Sequence, residues 1–550
     1  MISDRASQKI FRAEADVFCS AKYVRVMREL VVWVLAVTAG LTAATAQAVS
    51  CAGLRAVAPK GAAITLAEVV GTGAFVAPTA DKSAQATQKE GAAQAFKELP
   101  AFCRVALTFK PAPDSDIKVE IWMPVSGWNG RFLGVGNGGW GGEINYNSLA
   151  GAMRQGFATG SSDMGTGGFS AQNRSTWTVL ESDDRLKDFG FRATHLMTVA
   201  AKILIKALYG TGPKFSYWNG CSTGGKEGLA EAQRFPDDYN GIVEGDPASY
   251  FTHLMFSLQW YSAAARSDPA GAIPPGKFVS LHRAVLNACD AADGVVDGIV
   301  SDPERCHFDP QTIACKKDDS PDCLTVAQLK TVKAIYGGAR NPRTGAPIFP
   351  GEIPGSELGW AGMLHVPGPT LTSLSYFQFA LHRDPLWNPE TLNFDSDVVF
   401  ADRADGHLLN DIDPDLRAFK AHGGKLLMFH GWSDPIISPM ESVHYFQSVV
   451  DAMGGVEKTT DFVRLFMLPG VGHCQGGPGA DAFDKMSVIE RWTEQGLAPD
   501  AIVASHAGNA GPQISRPLCA YPEIAEWNGK GDTLDAASFS CKLRSSRRMK

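Results

Sequence analysis

One serine stands where a nucleophile would. Gly220-Cys221-Ser222-Thr223-Gly224 is a G-x-S-x-G run between FSYWN, which reads as a strand, and GKEGLAEAQRF, which reads as a helix. A strand–turn–helix junction this tight demands small neighbours and pushes the serine hydroxyl outward. That hydroxyl is a poor nucleophile without a base to take its proton and an acid to orient the base. Asp434, in HGWSDP after the run KLLMF, supplies a carboxylate. His473, in LPGVGHC after FVRLF, supplies an imidazole. Taken singly, Asp434 reads equally well as an Asx turn before Pro435, and His473 as an ordinary loop histidine. Each follows a strand, and the order Ser, Asp, His is the order of an α/β-hydrolase triad.

Two cysteines sharpen this reading. Cys221 precedes the serine and Cys474 follows the histidine. A bridge between them would hold the imidazole near the hydroxyl; the alternative is that each pairs elsewhere. An acyl-transfer site also needs N–H donors aimed at the developing oxyanion. Thr223 offers one from the residue after the nucleophile. The run Gly136-Asn137-Gly138-Gly139-Trp140-Gly141-Gly142 offers a second, from Gly138 or Gly139. A third feature is CDAADGVVDGI, residues 289–299. Asp290, Asp293 and Asp297 there put three hard oxygen donors on one glycine-turned segment, suited to calcium. The spacing is not that of an EF-hand.

These residues need a scaffold with a common edge. Strands are expected at Val119–Val125, Arg131–Val135, Phe157–Ser162, Phe215–Asn219, Lys425–His430 and Phe462–Leu468. Helices are expected at Phe189–Tyr209 and Ser442–Met453. Strands alternating with helices predict a mostly parallel sheet covered on both faces; with the serine turn and the Ser, Asp, His order this reads as an α/β-hydrolase fold. Residues 49–247 and 413–550 would form this catalytic domain. Residues 248–412 differ in composition and read as a large inserted lid domain carrying the calcium loop, and residues 503–550 as an irregular tail. Aromatic residues of the lid (Phe256, Trp260, Tyr261, Trp360, Tyr376, Phe377, Phe379 and Trp387) are either core or an acyl pocket. Arg383 is a surface ion-pair residue or a partner for a substrate carboxylate. His195, on a helix, reads as packed.

Composition bounds the rest. The chain has 550 residues, 45% hydrophobic and 20% charged, with net charge −7. This is the balance of a globular protein and argues against nucleic acid as a partner. Residues 1–48 read as a signal peptide: Lys22, Arg25 and Arg28, then the apolar run from Leu30, then Ala46-Gln47-Ala48. Met27 is a second possible start. Six basic and four acidic residues fall in that segment, so the remainder carries −9. Ten cysteines lie beyond it, an even number that reads as five disulfides in an oxidising, secreted or periplasmic setting. After cleavage no membrane attachment is expected. Cys51 as a lipid-attachment residue is disfavoured by Ala48.

GCSTGG, HGWSDP and GVGHC together resemble the tannase and feruloyl esterase family, which also holds terephthalate-monoester hydrolases. The resemblance runs from about Cys51 to Cys541. It implies Ser222 as nucleophile, His473 as base then acid, and Asp434 as its orienter. It implies a structural Ca²⁺ held by Asp290, Asp293 and Asp297 with main-chain oxygens of Val295 and Ile299. It also implies disulfides Cys51–Cys103, Cys289–Cys306, Cys315–Cys323 and Cys519–Cys541 beside Cys221–Cys474. The expected activity is hydrolysis of small-molecule esters of aromatic acids, hydroxycinnamic or gallic, through an acyl-enzyme. The alternatives are another acyl ester, terephthalate monoesters included, and a non-catalytic calcium-dependent binding protein on the same scaffold.

Overall fold

A computed structural model describes residues 48–78, 94–266, 268–364, 370–506 and 513–543. Except for Ala48, the signal peptide read over residues 1–48 lies outside them.

The strands, in chain order, begin with β1 (Ala62–Val70), β2 (Phe102–Phe109), β3 (Ile117–Pro124), β4 (Arg131–Val135), β5 (Ala158–Ser162), β6 (Phe215–Cys221) and β7 (Gly241–Gly245). A short pair, β8 (Ala339–Arg340) and β9 (Pro347–Phe349), lies within the insert. Then come β10 (Lys425–Gly431) and β11 (Val463–Leu468). Nine of these make one sheet in the order β1-β2-β3-β5-β4-β6-β7-β10-β11. The β1–β2, β2–β3 and β3–β5 pairs are antiparallel; every pair from β5 to β11 is parallel. The expected strands all form, within one to two residues of the boundaries read from sequence. β7, GIVEG, was not foreseen: it is buried along its whole length and so lacks an alternating pattern.

Side-chain alternation splits the core between the two faces. Trp218 of β6 joins one cluster with Met197, Leu204 and Ile205 of the helix Ala193–Tyr209 and Val449 of the helix Met440–Met453. Tyr217 joins the other with Leu149, Met153 and Ile489. The helix Ala193–Tyr209 is shorter than expected because Asp188–Arg192 forms a π-helical turn ahead of it. Each fully buried Leu or Ile in these layers is worth about 2 kcal/mol of transfer free energy.

The insert, between β7 and β10, is mainly helical and packs as part of one compact unit with the sheet. Its core gathers Phe251, Phe256, Tyr376, Phe377 and Phe379 around Trp140 and Phe189 of the catalytic layer. A buried pair, Lys226 Nζ to Asp411 Oδ2 at 2.8 Å, ties the end of the insert to the helix after the serine. The C-terminal segment is more ordered than expected. β12 (Ala501–Ser505) pairs with β13 (Ser515–Cys519), and β14 (Glu523–Trp527) with β15 (Phe539–Leu543), both antiparallel. Ile502 and Ala504 point inward while their neighbours are exposed, the period of two that a half-buried strand requires.

Candidate active site

Parallel strands deliver their C-terminal ends to one edge, and the chain's chemistry is concentrated there. β6 ends at Cys221, β7 at Gly245, β10 at Gly431 and β11 at Leu468, and β4 runs parallel beside β6. Loops leaving these ends carry Gly136–Gly142, Ser222, Asp246, Asp434 and His473. The chain reverses its direction of progress across the sheet between β4 and β6, the crevice where open α/β sheets bind ligands.

Ser222 adopts φ 62° and ψ −124°, a conformation that L-residues avoid, directly before the helix Thr223–Arg234. Glycine at 220 is obligatory: a Cβ there would stand 2.2 Å from Gly224 O. Glycine at 136 is equally constrained, since its Cβ would meet Gly224 Cα at 2.5 Å. The Gly-rich loop therefore lies against the turn. Gly224 N donates to Asn137 O at 2.8 Å, and Thr223 Oγ donates to Gly139 O at 2.6 Å. Asn137 N is held by Glu227 Oε2 at 2.8 Å. A Cβ at Gly138 or Gly139 would meet only open space, and both residues are exposed.

His473 Nδ1 lies 2.6 Å from Asp434 Oδ2. Asp434 is fully buried. Its other oxygen accepts from Ile436 N at 2.8 Å and Ile437 N at 3.1 Å, so the Asx turn exists as well. A second imidazole, His430, brings Nε2 to 3.2 Å from Asp434 Oδ2, while its Nδ1 meets Ser442 Oγ at 2.7 Å. Burial penalises the Asp434 carboxylate, but the His473 and His430 imidazoles override it and hold it well below the usual range. Burial likewise disfavours the His473 imidazolium, but the Asp434 charge and hydrogen bond raise it to about 9. With Nδ1–H committed to Asp434, Nε2 is the nitrogen that exchanges a proton, as an acceptor once the imidazolium has lost it.

Cys221 and Cys474 are bonded to each other, with a Cα–Cα distance of 6.0 Å. Ser222 and His473, 251 positions apart in sequence, are thus the immediate neighbours of one crosslink. The other four pairings are also as expected: Cys51–Cys103, Cys289–Cys306, Cys315–Cys323 and Cys519–Cys541.

Asp290, Asp293 and Asp297 lie on the loop after the helix Pro275–Cys289. Asp290 accepts from Asp297 N and Gly298 N at 3.1 and 3.0 Å. Asp293 accepts from Val295 N at 3.0 Å and Ser301 Oγ at 2.7 Å. Asp297 accepts from Ile299 N at 3.2 Å and Arg516 Nη2 at 2.6 Å. The three carboxylates lie within eight residues, and Asp297 alone pairs with a guanidinium, that of Arg516; hard oxygen donors are the type a divalent cation takes, but their carboxylate oxygens are not gathered within 4.8 Å of one another.

Of the lid aromatics, Phe256, Tyr261, Trp360, Tyr376, Phe377 and Phe379 are buried core residues. Trp260 and Trp387 pack against that core. Arg383 pairs with Asp183. His195 is packed, stacked on Phe235 with its Nδ1 at 2.6 Å from Asp238. Sequence reasoning missed His430, although it stands in the HGWSDP run, and missed Asp246, whose EGDP setting carries no recognisable pattern.

Residues 103–542 match the tannase and feruloyl esterase family. The chain is 36% identical to an uncharacterized esterase of Xanthomonas campestris pv. campestris, covering 94% of this chain and 95% of that one. It is 32% identical to a probable feruloyl esterase B-1 of Aspergillus terreus, over 80% of this chain and 86% of the relative. The crystal structure of feruloyl esterase B from Aspergillus oryzae superposes with a TM-score of 0.80 at 28% identity, covering 90% of this chain and 99% of that one. Tannin acyl hydrolase from Aspergillus niger shares the fold, with a TM-score of 0.73 at 23% identity, covering 90% and 95%. The chain belongs to the tannase and feruloyl esterase family and is a carboxylic ester hydrolase.

Proposed function

We propose that this hydrolase is a secreted serine esterase that cleaves esters of aromatic acids through an acyl-enzyme. Ser222 is the nucleophile, His473 the base and then the acid, and Asp434 the group that orients and charges the imidazole. The observation that carries the reading is the 2.6 Å His473–Asp434 contact on a loop crosslinked to the residue before Ser222. Ser222 Oγ attacks the ester carbonyl as His473 Nε2 takes its proton. The Asp434 carboxylate stabilises the imidazolium, which then protonates the leaving alkoxide. Water repeats the sequence on the acyl-enzyme and frees the acid. The oxyanion is received by Thr223 N and by the backbone N–H of Gly138 or Gly139. Thr223 is the first residue of its helix, where N–H groups have no intrahelical acceptor, and the Thr223–Gly139 hydrogen bond holds the helix start and the glycine-rich loop together.

An aromatic acyl group is supported by relatives named as feruloyl esterases. Export is supported by five disulfides and by the leader-like N-terminus. Among the described residues no helix is long and apolar enough to cross a membrane. Ca²⁺ would be held by Asp290, Asp293 and Asp297 with main-chain oxygens of Val295 and Ile299, and would neutralise that loop without entering the reaction.

The test is hydrolysis of methyl ferulate, methyl gallate and a terephthalate monoester by the wild type and Ser222→Ala. The wild type should favour one of the two phenolic esters. Ser222→Ala should lose all turnover while its melting temperature stays within about 1 °C, since one hydroxyl oxygen of a half-buried residue is removed. Turnover retained by Ser222→Ala removes the serine from the mechanism. Preference for the terephthalate monoester overturns the phenolic assignment.

A further inference from the structure

A second buried carboxylate faces the same imidazole. Asp246 directly follows β7 and is 1% exposed. One of its oxygens lies within 4.8 Å of both a His473 ring nitrogen and an Asp434 oxygen. Its backbone is forced into the left-handed region, φ 40°, which a non-glycine residue adopts only when its surroundings impose it. Asp246 Oδ1 accepts from Gly431 N at 3.0 Å and stands 3.5 Å from His430 Nε2; Oδ2 touches Cys221 Sγ at 3.4 Å. The acid therefore rests on the crosslink that carries His473 and on the strand end that carries Asp434.

We propose that Asp246 is a positioning residue of the esterase: a second acid behind His473 that supports the imidazolium alongside Asp434 and takes over its Nδ1–H when Asp434 is absent. The inference rests on the Ser222–His473–Asp434 reading above. Two neighbouring parallel strands of one sheet, β7 and β10, each deliver a carboxylate to the same edge, and the imidazole of the β11 loop bonds one and lies within 4.8 Å of the other. During attack one proton moves from Ser222 Oγ to His473 Nε2, and the resulting positive charge faces two acids instead of one. A purely structural Asp246 would only anchor Gly431.

The groups facing Asp246 are His430 and Asp434 from β10 and its loop, His473 from the β11 loop, Glu244 from β7 and Lys485 from the helix Lys485–Gln495. Glu441 acts at one remove, through His430. Burial raises the Asp246 carboxyl to about 6, Asp434 adding to this while His430 and His473 oppose it. Above that pH the second acid is charged.

The experiment is a double-mutant cycle in the full chain, read as kcat with a phenolic methyl ester. Losing an orienting acid ordinarily costs about 10⁴-fold. Asp434→Ala leaves room for the imidazole to turn to Asp246, so it should cost no more than about 10³-fold. Asp246→Asn should cost less than about ten-fold in the wild type and at least about ten-fold more in the Asp434→Ala background. Asp246→Asn alone should also move the acid limb of kcat/KM down by about half a unit or more, and Asp246→Glu should restore it. Equal factors in both backgrounds, or an unmoved limb, overturn the proposal. If Asp434→Ala fails to fold, the limb of Asp246→Asn decides alone. Labelling of Ser222 by a serine-directed phosphonate separates the two readings. Absent labelling in the wild type defeats the triad. Normal labelling with additive factors defeats only Asp246.

Discussion

Replacing Cys221 and Cys474 together by serine tests the link between fold and chemistry. The crosslink closes a loop of 253 residues. In the chain-entropy account a loop of that length contributes about 5 kcal/mol by restricting the unfolded chain. A cooperative unit of about 500 residues unfolds with an entropy near 1 kcal/mol per kelvin, so the expected drop in melting temperature is about 5 °C. Catalysis should suffer separately. Cys474 sits at φ 64°, a conformation imposed on a non-glycine residue next to the imidazole. With the bond gone the His473 loop can relax, and a displacement of about 1 Å costs about 100-fold in kcat. Melting curves and kcat, the latter measured at least 15 °C below the variant's transition, separate the two effects. A variant that melts with the wild type, and whose kcat stays within two-fold of it, would refute the reasoning that the bond both holds the fold and sets the distance.

Three further outcomes follow from the same contacts. Thr223→Val removes the hydrogen bond to Gly139 O and should lower kcat about ten-fold while Thr223→Ser keeps it; equal rates for both variants would detach that bond from the oxyanion hole. The melting temperature should fall from pH 5 to pH 8. Burial raises Glu227 and Glu441 to about 7 and Asp163 to about 6, so the folded chain holds protons there that the unfolded chain has released. His473, near 9, adds stability that is complete below about 6.5 and lost as pH rises through 9, the same direction. Asp434 works only at the acid end, because its contribution, present above the ordinary carboxylate range, is lost as pH drops through its depressed value. A melting temperature that climbs from pH 5 to pH 8 contradicts this. Finally, a calcium chelator should lower the melting temperature by about 3 °C, the linkage expected at a hundred-fold excess of ion over its Kd, and Asp293→Asn should abolish that sensitivity. An unchanged curve for wild type shown to have held the ion would remove it from the fold's support.

Local sequence pointed to six strands of the sheet, the turn at Ser222 and the order of Ser222, Asp434 and His473. Glycine at 220 and 224 is a steric requirement that composition displays directly, and half-buried strands such as β3 advertise themselves by their apolar run. The adjacency of Cys221 to Ser222 and of Cys474 to His473 even pointed to their bond, because a crosslink between neighbours fixes the residues beside it. β7 went unseen because burial on both faces erases alternation; β1, β2 and the C-terminal hairpins were not read from the sequence either. Asp246 and His430, which join the Asp434–His473 pair, were beyond the reach of sequence for a different reason. Which side chains share a few ångströms at the sheet edge depends on strand order, and it is the β7–β10–β11 pairing, decided only when the whole sheet assembles, that brings Asp246, His430 and His473 to one carboxylate.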